Sequence, residues 1–256
     1  MFKSVLNGGN VDSYTTLHIP MHGDDSGTAF YDASPNHAAV SRVAGYAAGE
    51  AVITKTAQSI FKGSSAYFPN ATMYYTPPYY GCYLSVPDSD NWTMGTGLFT
   101  VDFWMRCSSL AQQEGIFSTG TDVGGNNAWM LFRMMVGGAF RLSYNYLDIH
   151  SYTINFTAFT FTVDTWYHIA LIRGWGGNAN DFMVTVNGTA VGTAVTQALF
   201  NWENYSNPLR VGQAFVNNNW NMSFYGYMSN FRISKGVARW TANFSISRPW
   251  GRGLVS

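Results

Sequence analysis

The stretch Phe99–Cys107 reads FTVDFWMRC. Phe99, Val101, Phe103, Met105 and Cys107 fall on one face of an extended chain, and Thr100, Asp102, Trp104 and Arg106 fall on the other. Successive side chains of a strand point to opposite sides, so this alternation predicts a strand with one face in a core. The same period extends outward from it. Phe140, Leu142, Tyr144 and Tyr146 alternate with Arg141, Ser143 and Asn145. Phe182, Val184 and Val186 alternate with Met183, Thr185 and Asn187. Further on, Tyr225, Tyr227, Ser229, Phe231 and Ile233 share a face against Gly226, Met228, Asn230 and Arg232. Asn187-Gly188 predicts a tight hairpin, because a type I′ turn needs positive φ at both central residues. Gly/Asn/Asp clusters at 23–27, 124–127, 174–178 and 217–219 separate the strands, and no long helical period appears. Short helical turns are expected near Ala47–Glu50 and Lys235–Arg239. Many short strands between such turns predict an all-β fold, an antiparallel two-sheet β-sandwich of jelly-roll type.

Composition narrows the function classes. The chain has 256 residues, with 14 Lys+Arg balanced by 14 Asp+Glu, and charged residues make up only 11%. So neutral a chain lacks the electrostatic footprint of nucleic-acid binding. At 46% hydrophobic it has enough apolar surface to order itself. No run approaches the roughly 18 apolar residues of a membrane span. Met1–Asn10 (MFKSVLNGGN) has no apolar stretch of the secretory type, so the expectation is that the protein either stays in the cytosol where it is made or leaves without a signal, as in a virion on host-cell lysis. Cys82 and Cys107 are too few for a disulfide framework and are expected as buried free thiols.

No linker or repeat divides the chain. Residues 1–16 read as an N-terminal arm, 17–247 as the jelly roll and 248–256 as a C-terminal tail. The segment 69–82, PNATMYYTPPYYGC, stands out. Pro77-Pro78 excludes it from a central strand. Tyr74, Tyr75, Tyr79 and Tyr80 around those prolines suit a protein-contact insert, since such rings give large contact area at low entropy cost. The other reading is a loop whose rings cap the sandwich edge.

Several motifs in order carry a family likeness. Tyr83–Cys107 (YLSVPDSDNWTMGTGLFTVDFWMRC), Trp166–Arg173 (WYHIALIR), Val186-Asn187-Gly188, Leu209–Gly212 and Phe224–Phe244 (FYGYMSNFRISKGVARWTANF) resemble laminin-G-like jelly rolls of the concanavalin A-like lectin/glucanase superfamily. Leu17–Gly23 with Phe30 and Asp32, and then Phe61–Phe68 (FKGSSAYF), resemble the opening of that fold. The resemblance spans about Leu17 to Trp250. It specifies a fold more than a function, because this sandwich hosts lectins, glycosidases and structural modules alike. Some members hold a structural calcium, and Asp24, Asp25 and Asp32 are the candidates here. Yet His22 and Ser229-Asn230 replace acids common in the group, so no cofactor and no metal site is assigned. The insert 69–82 is a departure where relatives make a short turn.

Catalytic constellations are sparse. Glycosidases need two carboxyl groups across the scissile bond. The glutamates are Glu50, Glu114 and Glu203, and none belongs to the Glu-x-Asp-x-x-Glu run of related glucanases. Asp88-Ser89-Asp90 reads as a solvated turn. His18 and His22 read as surface-strand residues, and His168 as a structural histidine. No nucleophile elbow, P-loop or zinc spacing is present. Seven Asn-x-Ser/Thr triplets, from Asn70 to Asn243, reflect an Asn/Ser/Thr-rich composition. Trp175, Trp202, Tyr205 and Trp220 lie in turn regions among asparagines, where a ring can stack on a sugar while amides bond its hydroxyls. The alternative for these rings is burial.

The expected protein is therefore not an enzyme. Single jelly rolls resembling this one are frequent among phage particle proteins, and that resemblance implies a bacteriophage virion-surface protein, as capsid decoration or tail component. Its partners would be other virion proteins in an oligomeric assembly and host glycans, without nucleic acid or membrane insertion. A free carbohydrate-binding module or lectin is the alternative, with a glycoside hydrolase third.

Overall fold

The computed structural model describes residues 11–45, 51–61, 63–69, 81–121, 128–146, 150–217 and 220–246. The insert tyrosines Tyr74, Tyr75, Tyr79 and Tyr80, the C-terminal tail and most of the N-terminal arm lie outside the described residues, as does Ala47–Glu50.

Two antiparallel sheets face each other. The first holds β1 (Thr15–Ile19), β3 (Ile53–Lys55), β4 (Ser65–Phe68), β6 (Phe99–Cys107), β11 (Tyr167–Arg173), β12 (Asp181–Val186), β13 (Thr189–Ala190), β14 (Val195–Thr196) and β18 (Gly226–Lys235). Its order is β13-β12-β11-β6-β18-β4-β3, with β1 also on β18 and β14 also on β12. The second holds β2 (Ser41–Val43), β5 (Tyr83–Val86), β7 (Glu114–Thr121), β8 (Ala128–Met134), β9 (Ala139–Tyr146), β10 (His150–Ala158) and β15 (Leu209–Val211), ordered β10-β9-β8-β7-β15-β5-β2. A separate hairpin, β16 (Gln213–Asn217) with β17 (Trp220–Ser223), lies across β7 and β8. The non-sequential neighbours are the crossovers of a jelly-roll sandwich.

The predicted strand β6 has the bounds its alternation gave it. Phe99, Val101, Phe103 and Met105 are fully buried between the sheets. From the second sheet Phe117, Phe132 and Phe140 meet them, and Phe182, Phe200 and Phe231 close the layer with ring centroids 4.8–6.0 Å apart in their aromatic contacts. Asn187 (φ 51°) and Gly188 (φ 78°) make the predicted turn between β12 and β13.

Three expectations change. Lys235–Arg239 is no helical turn, because Lys235 ends β18 and the chain then crosses the sheet. The arm is shorter than sixteen residues, since Thr15 already pairs with Ser234. The alternation of β18 is also interrupted. Asn230 adopts φ 51°, and the register with β6 slips between Ser229 and Arg232. One extra residue in a strand flips every later side chain to the other face. Met228 therefore points into the core, but so do Phe231 and Ile233, whereas Tyr227, Ser229 and Arg232 face outward. Just before, Gly226 (φ 141°) lies so close to β6 that a Cβ would sit 2.1 Å from the Arg106 carbonyl oxygen.

Candidate functional site: a cleft on the outer face of the first sheet

Alternation places Thr100, Asp102 and Trp104 on the outer face of β6, where water would be expected. They are instead 0%, 5% and 7% exposed. The segment 236–246, following β18, folds back over this face. It is tied at Gly236 N–H to the Leu98 carbonyl, at Arg239 N–H to Thr100 Oγ1, and at Phe244 N–H to the Gly188 carbonyl. Between segment 236–246, the Asp12–Tyr14 turn and Phe61 lies a cleft of about 530 Å³.

The floor is a polar network set by strand register. Asp102 of β6 lies directly opposite Arg232 of β18, and the guanidinium grips it through Nε and Nη2 at 2.9 and 3.0 Å. His168 Nε2, from β11, reaches the same carboxylate at 3.4 Å. Burial alone would raise the Asp102 pKa, but Arg232 and His168 hold it well below the ordinary carboxylate range. The bulge at Asn230 makes this pairing geometrically available, since unbroken alternation would point Arg232 into the core.

A second pair stands at the rim. Arg239 of segment 236–246 donates to both oxygens of Asp12, at 2.8 and 3.0 Å. Arg239 is the main cause that brings the Asp12 carboxyl down to about 2. Between the pairs, His18 of β1 sets Nε2 3.1 Å from Asn230 Oδ1, and its backbone N–H donates to Asp32. His18 Nδ1 is buried without a partner. Burial lowers the His18 pKa, because a protonated ring would carry that N–H with nothing to accept it.

Aromatic rings form the walls. Trp240 and Phe244 stack with centroids 3.9 Å apart, and the His168 ring meets both edge-on. Trp104 packs against His168 from one side and Phe61 from the other. Tyr14 is half exposed at the mouth. The cleft can thus offer ring faces, amide and guanidinium donors and carboxylate acceptors. Both carboxylates are already neutralised by arginine.

The sequence-predicted ligand residues lie elsewhere. Trp202 is 1% exposed, stacked on Phe117 at 5.9 Å and edge-on to Phe99 at 5.2 Å, with its backbone bridged to Gly95. Tyr205 is 4% exposed. Both belong to the core, so their role as sugar contacts is corrected: no face is open to a ligand. Trp175 is half-buried on the 3-10 turn Trp175–Gly177 and does not line the cleft. Trp220 belongs to β17, and its side chain lies outside the described residues. His18 is buried, not on a surface strand, and His22 is directed instead to the exposed Tyr31 hydroxyl.

Among the described residues no three His, Cys, Asp or Glu side chains are grouped to hold a metal. Of the calcium candidates, Asp32 spends its oxygens on His18 N–H, Ser34 N–H and Oγ, and Ala38 N–H. Asp25 binds Thr56 and Lys55. Cys82 and Cys107 are buried and form no disulfide.

A family model described as the concanavalin A-like lectin/glucanases superfamily matches residues 80–241, from just before β5 to segment 236–246. The chain belongs to this superfamily. No curated protein matches it in sequence. Among solved structures, domain 4 of AbnA, an extracellular GH43 arabinanase from Geobacillus stearothermophilus seen with arabinotriose, superposes with a TM-score of 0.59 at 16% identity. That alignment covers 88% of this chain and 93% of the other. The binding domain of botulinum neurotoxin serotype D/C superposes with a TM-score of 0.55 at 14% identity, over 89% of this chain and 50% of that one. The chain thus spans about half the length of the toxin binding domain. At such identities the likeness is one of fold. Superfamily membership fits the lectin-like sandwich expected from the sequence, and the cleft is a feature of this chain's own residues.

Proposed function

We propose that this protein is a carbohydrate-recognition domain without catalytic activity, and that its ligand site is the cleft over β6, β11 and β18. The observation that carries the reading is the chemistry of the cleft walls: stacked aromatic rings beside donors and acceptors fixed by mutual hydrogen bonds. Such walls suit a sugar, which presents apolar ring faces and a fringe of hydroxyls. Two neighbours of the fold offer precedent, since the arabinanase domain is seen with arabinotriose and a type C neurotoxin depends on gangliosides for cell entry.

The carboxylates favour binding over cleavage. A glycosidase needs one carboxylic acid that keeps its proton near neutral pH and a second carboxylate as base or nucleophile. Asp102 and Asp12 are both shifted downward by arginine partners, so neither holds a proton at neutral pH. The carboxyl that is shifted upward, Glu114, accepts a hydrogen bond from Tyr225 N–H and does not line the cleft.

A glycan array probed with the purified protein tests the proposal. Saturable binding is expected, with at least about tenfold loss in Trp240→Ala and Tyr14→Ala. Binding that survives both changes, or none across a broad array, overturns it.

We place this domain on a bacteriophage particle, as capsid decoration or tail component. The reading is supported by the frequency of single jelly rolls of this kind among phage particle proteins and by a composition of few charges. Mass spectrometry of purified particles tests that setting, and absence of the chain from them would refute it.

A further inference from the structure

The outer face of the first sheet does not end at the cleft. Side chains two residues apart on a strand share a face, so Asp102, Trp104 and Arg106 form one row along β6, about 13 Å from end to end. The far end of this row is a second aromatic surface. Tyr67 of β4 lies directly opposite Tyr227 of β18, with ring centroids 4.8 Å apart and planes inclined by 37°. Arg106 sits across from Tyr227 in the register, with its guanidinium 5.5 Å from that ring. Asp164 holds the guanidinium from the other side at 2.7 Å. Both tyrosines are half-buried. Burial and the neighbouring tyrosines push the Tyr67 hydroxyl up to about 12, so it stays protonated and uncharged at neutral pH.

Phe61 and Trp104, edge to face at 5.6 Å, stand at the cleft end of this face, with Trp104 the row's neighbour of Arg106. Rings therefore stand at both ends of the row. Each of its fixed charges is matched, with Asp102 on Arg232, Asp12 on Arg239 and Asp164 on Arg106.

We infer that Tyr67 and Tyr227 form a second subsite for the same ligand, and that this ligand is an uncharged oligosaccharide chain laid along β6 from the cleft to the tyrosine pair. The inference rests on the carbohydrate reading of the cleft and adds two things to it, a chain longer than the cleft holds and the absence of acidic sugars. A neutral row gives an anionic sugar no unmatched cation to bind. A half-buried ring pair at the far end of the row rewards each added unit by stacking.

The experiment is a calorimetric titration with neutral oligosaccharide series of two to six units, derived from arabinan, xylan, mannan and glucan. Wild-type protein, Tyr227→Ala, Tyr67→Ala, Tyr227→Phe and Trp240→Ala are compared. Wild-type affinity is expected to rise about tenfold or more between the shortest and longest member of the recognised series. The two tyrosine-to-alanine variants should lose that rise while binding the shortest member as wild type does, which also certifies their fold. Tyr227→Phe should keep the rise, since the ring does the stacking. Trp240→Ala should weaken all lengths alike. Wild-type affinity independent of length, or a length dependence unchanged in both alanine variants, overturns the subsite and leaves the cleft standing. Tighter binding of a uronic-acid series than of its neutral counterpart overturns the neutral-ligand half. No binding by wild type at any length overturns the subsite and the carbohydrate reading together.

Discussion

Glu114 begins β7 with its side chain buried, and the Tyr225 N–H donates to it at 2.7 Å. Burial raises its pKa from 4.5 to about 8. An acid whose folded pKa is raised holds a proton in the native state that the unfolded chain has released. Its contribution is therefore complete below about pH 4.5 and is lost as pH climbs to about 8. His18 works in the opposite direction. Its folded pKa lies below 6.5, so stability falls as pH drops beneath that value and the unfolded chain takes up a proton. Glu114→Gln should flatten the loss of stability between pH 5 and pH 8, followed by denaturant midpoints across that range; an unchanged slope would refute the assignment. At Asp102, removing one partner of a buried ion pair costs more than removing both. Arg232→Ala should destabilise by about 3 kcal/mol, and adding Asp102→Asn should restore part of the loss.

Among the elements, β18 depends on one residue. Asn230 occupies the left-handed region at φ 51°, which asparagine and glycine tolerate and a β-branched residue does not. Asn230→Val is expected to cost about 1–3 kcal/mol and Asn230→Gly distinctly less, read from equilibrium unfolding. If Val were as well tolerated as Gly, the bulge would not depend on that residue. The same bulge explains where the sequence ceases to be legible. The bounds of β6, its core face and the Asn187-Gly188 hairpin follow from local chemistry, because period-two alternation and a turn dipeptide act over a few residues. The phase of β18 after Ser229 does not. Its alternating letters continue smoothly while the backbone takes one extra step, and only the pairing with β6 reveals this. The cleft is harder still to foresee. Asp102 and Trp104 look like the wet side of a strand until segment 236–246 covers them. One signal was present, an acid at the centre of the chain's most regular strand when charges are rare, with Arg232 on a strand of the same period. Turn-region tryptophans were a poorer guide, since Trp202 enters the core through a two-bond bridge to Gly95 that no local pattern announces.

For the whole molecule, the proposed site sets the rings of the fold apart from those of recognition. Trp202 contacts both sheets through Phe99 and Phe117, and its loss should cost about 3–5 kcal/mol. Trp202→Ala, measured where it remains folded, should keep glycan affinity, while Trp240→Ala should lose affinity with little change in unfolding midpoint. The reverse pattern would relocate the site. Cys82 and Cys107 are sealed inside the sandwich, and burial raises the Cys107 thiol well above its ordinary value. Sealed thiols can react only when the sandwich opens, so a maleimide dye should mark each molecule at the pace of its own breathing. With that dye the protein carries its own clock, whose ticking should slow when a sugar chain is bound and quicken in Arg232→Ala.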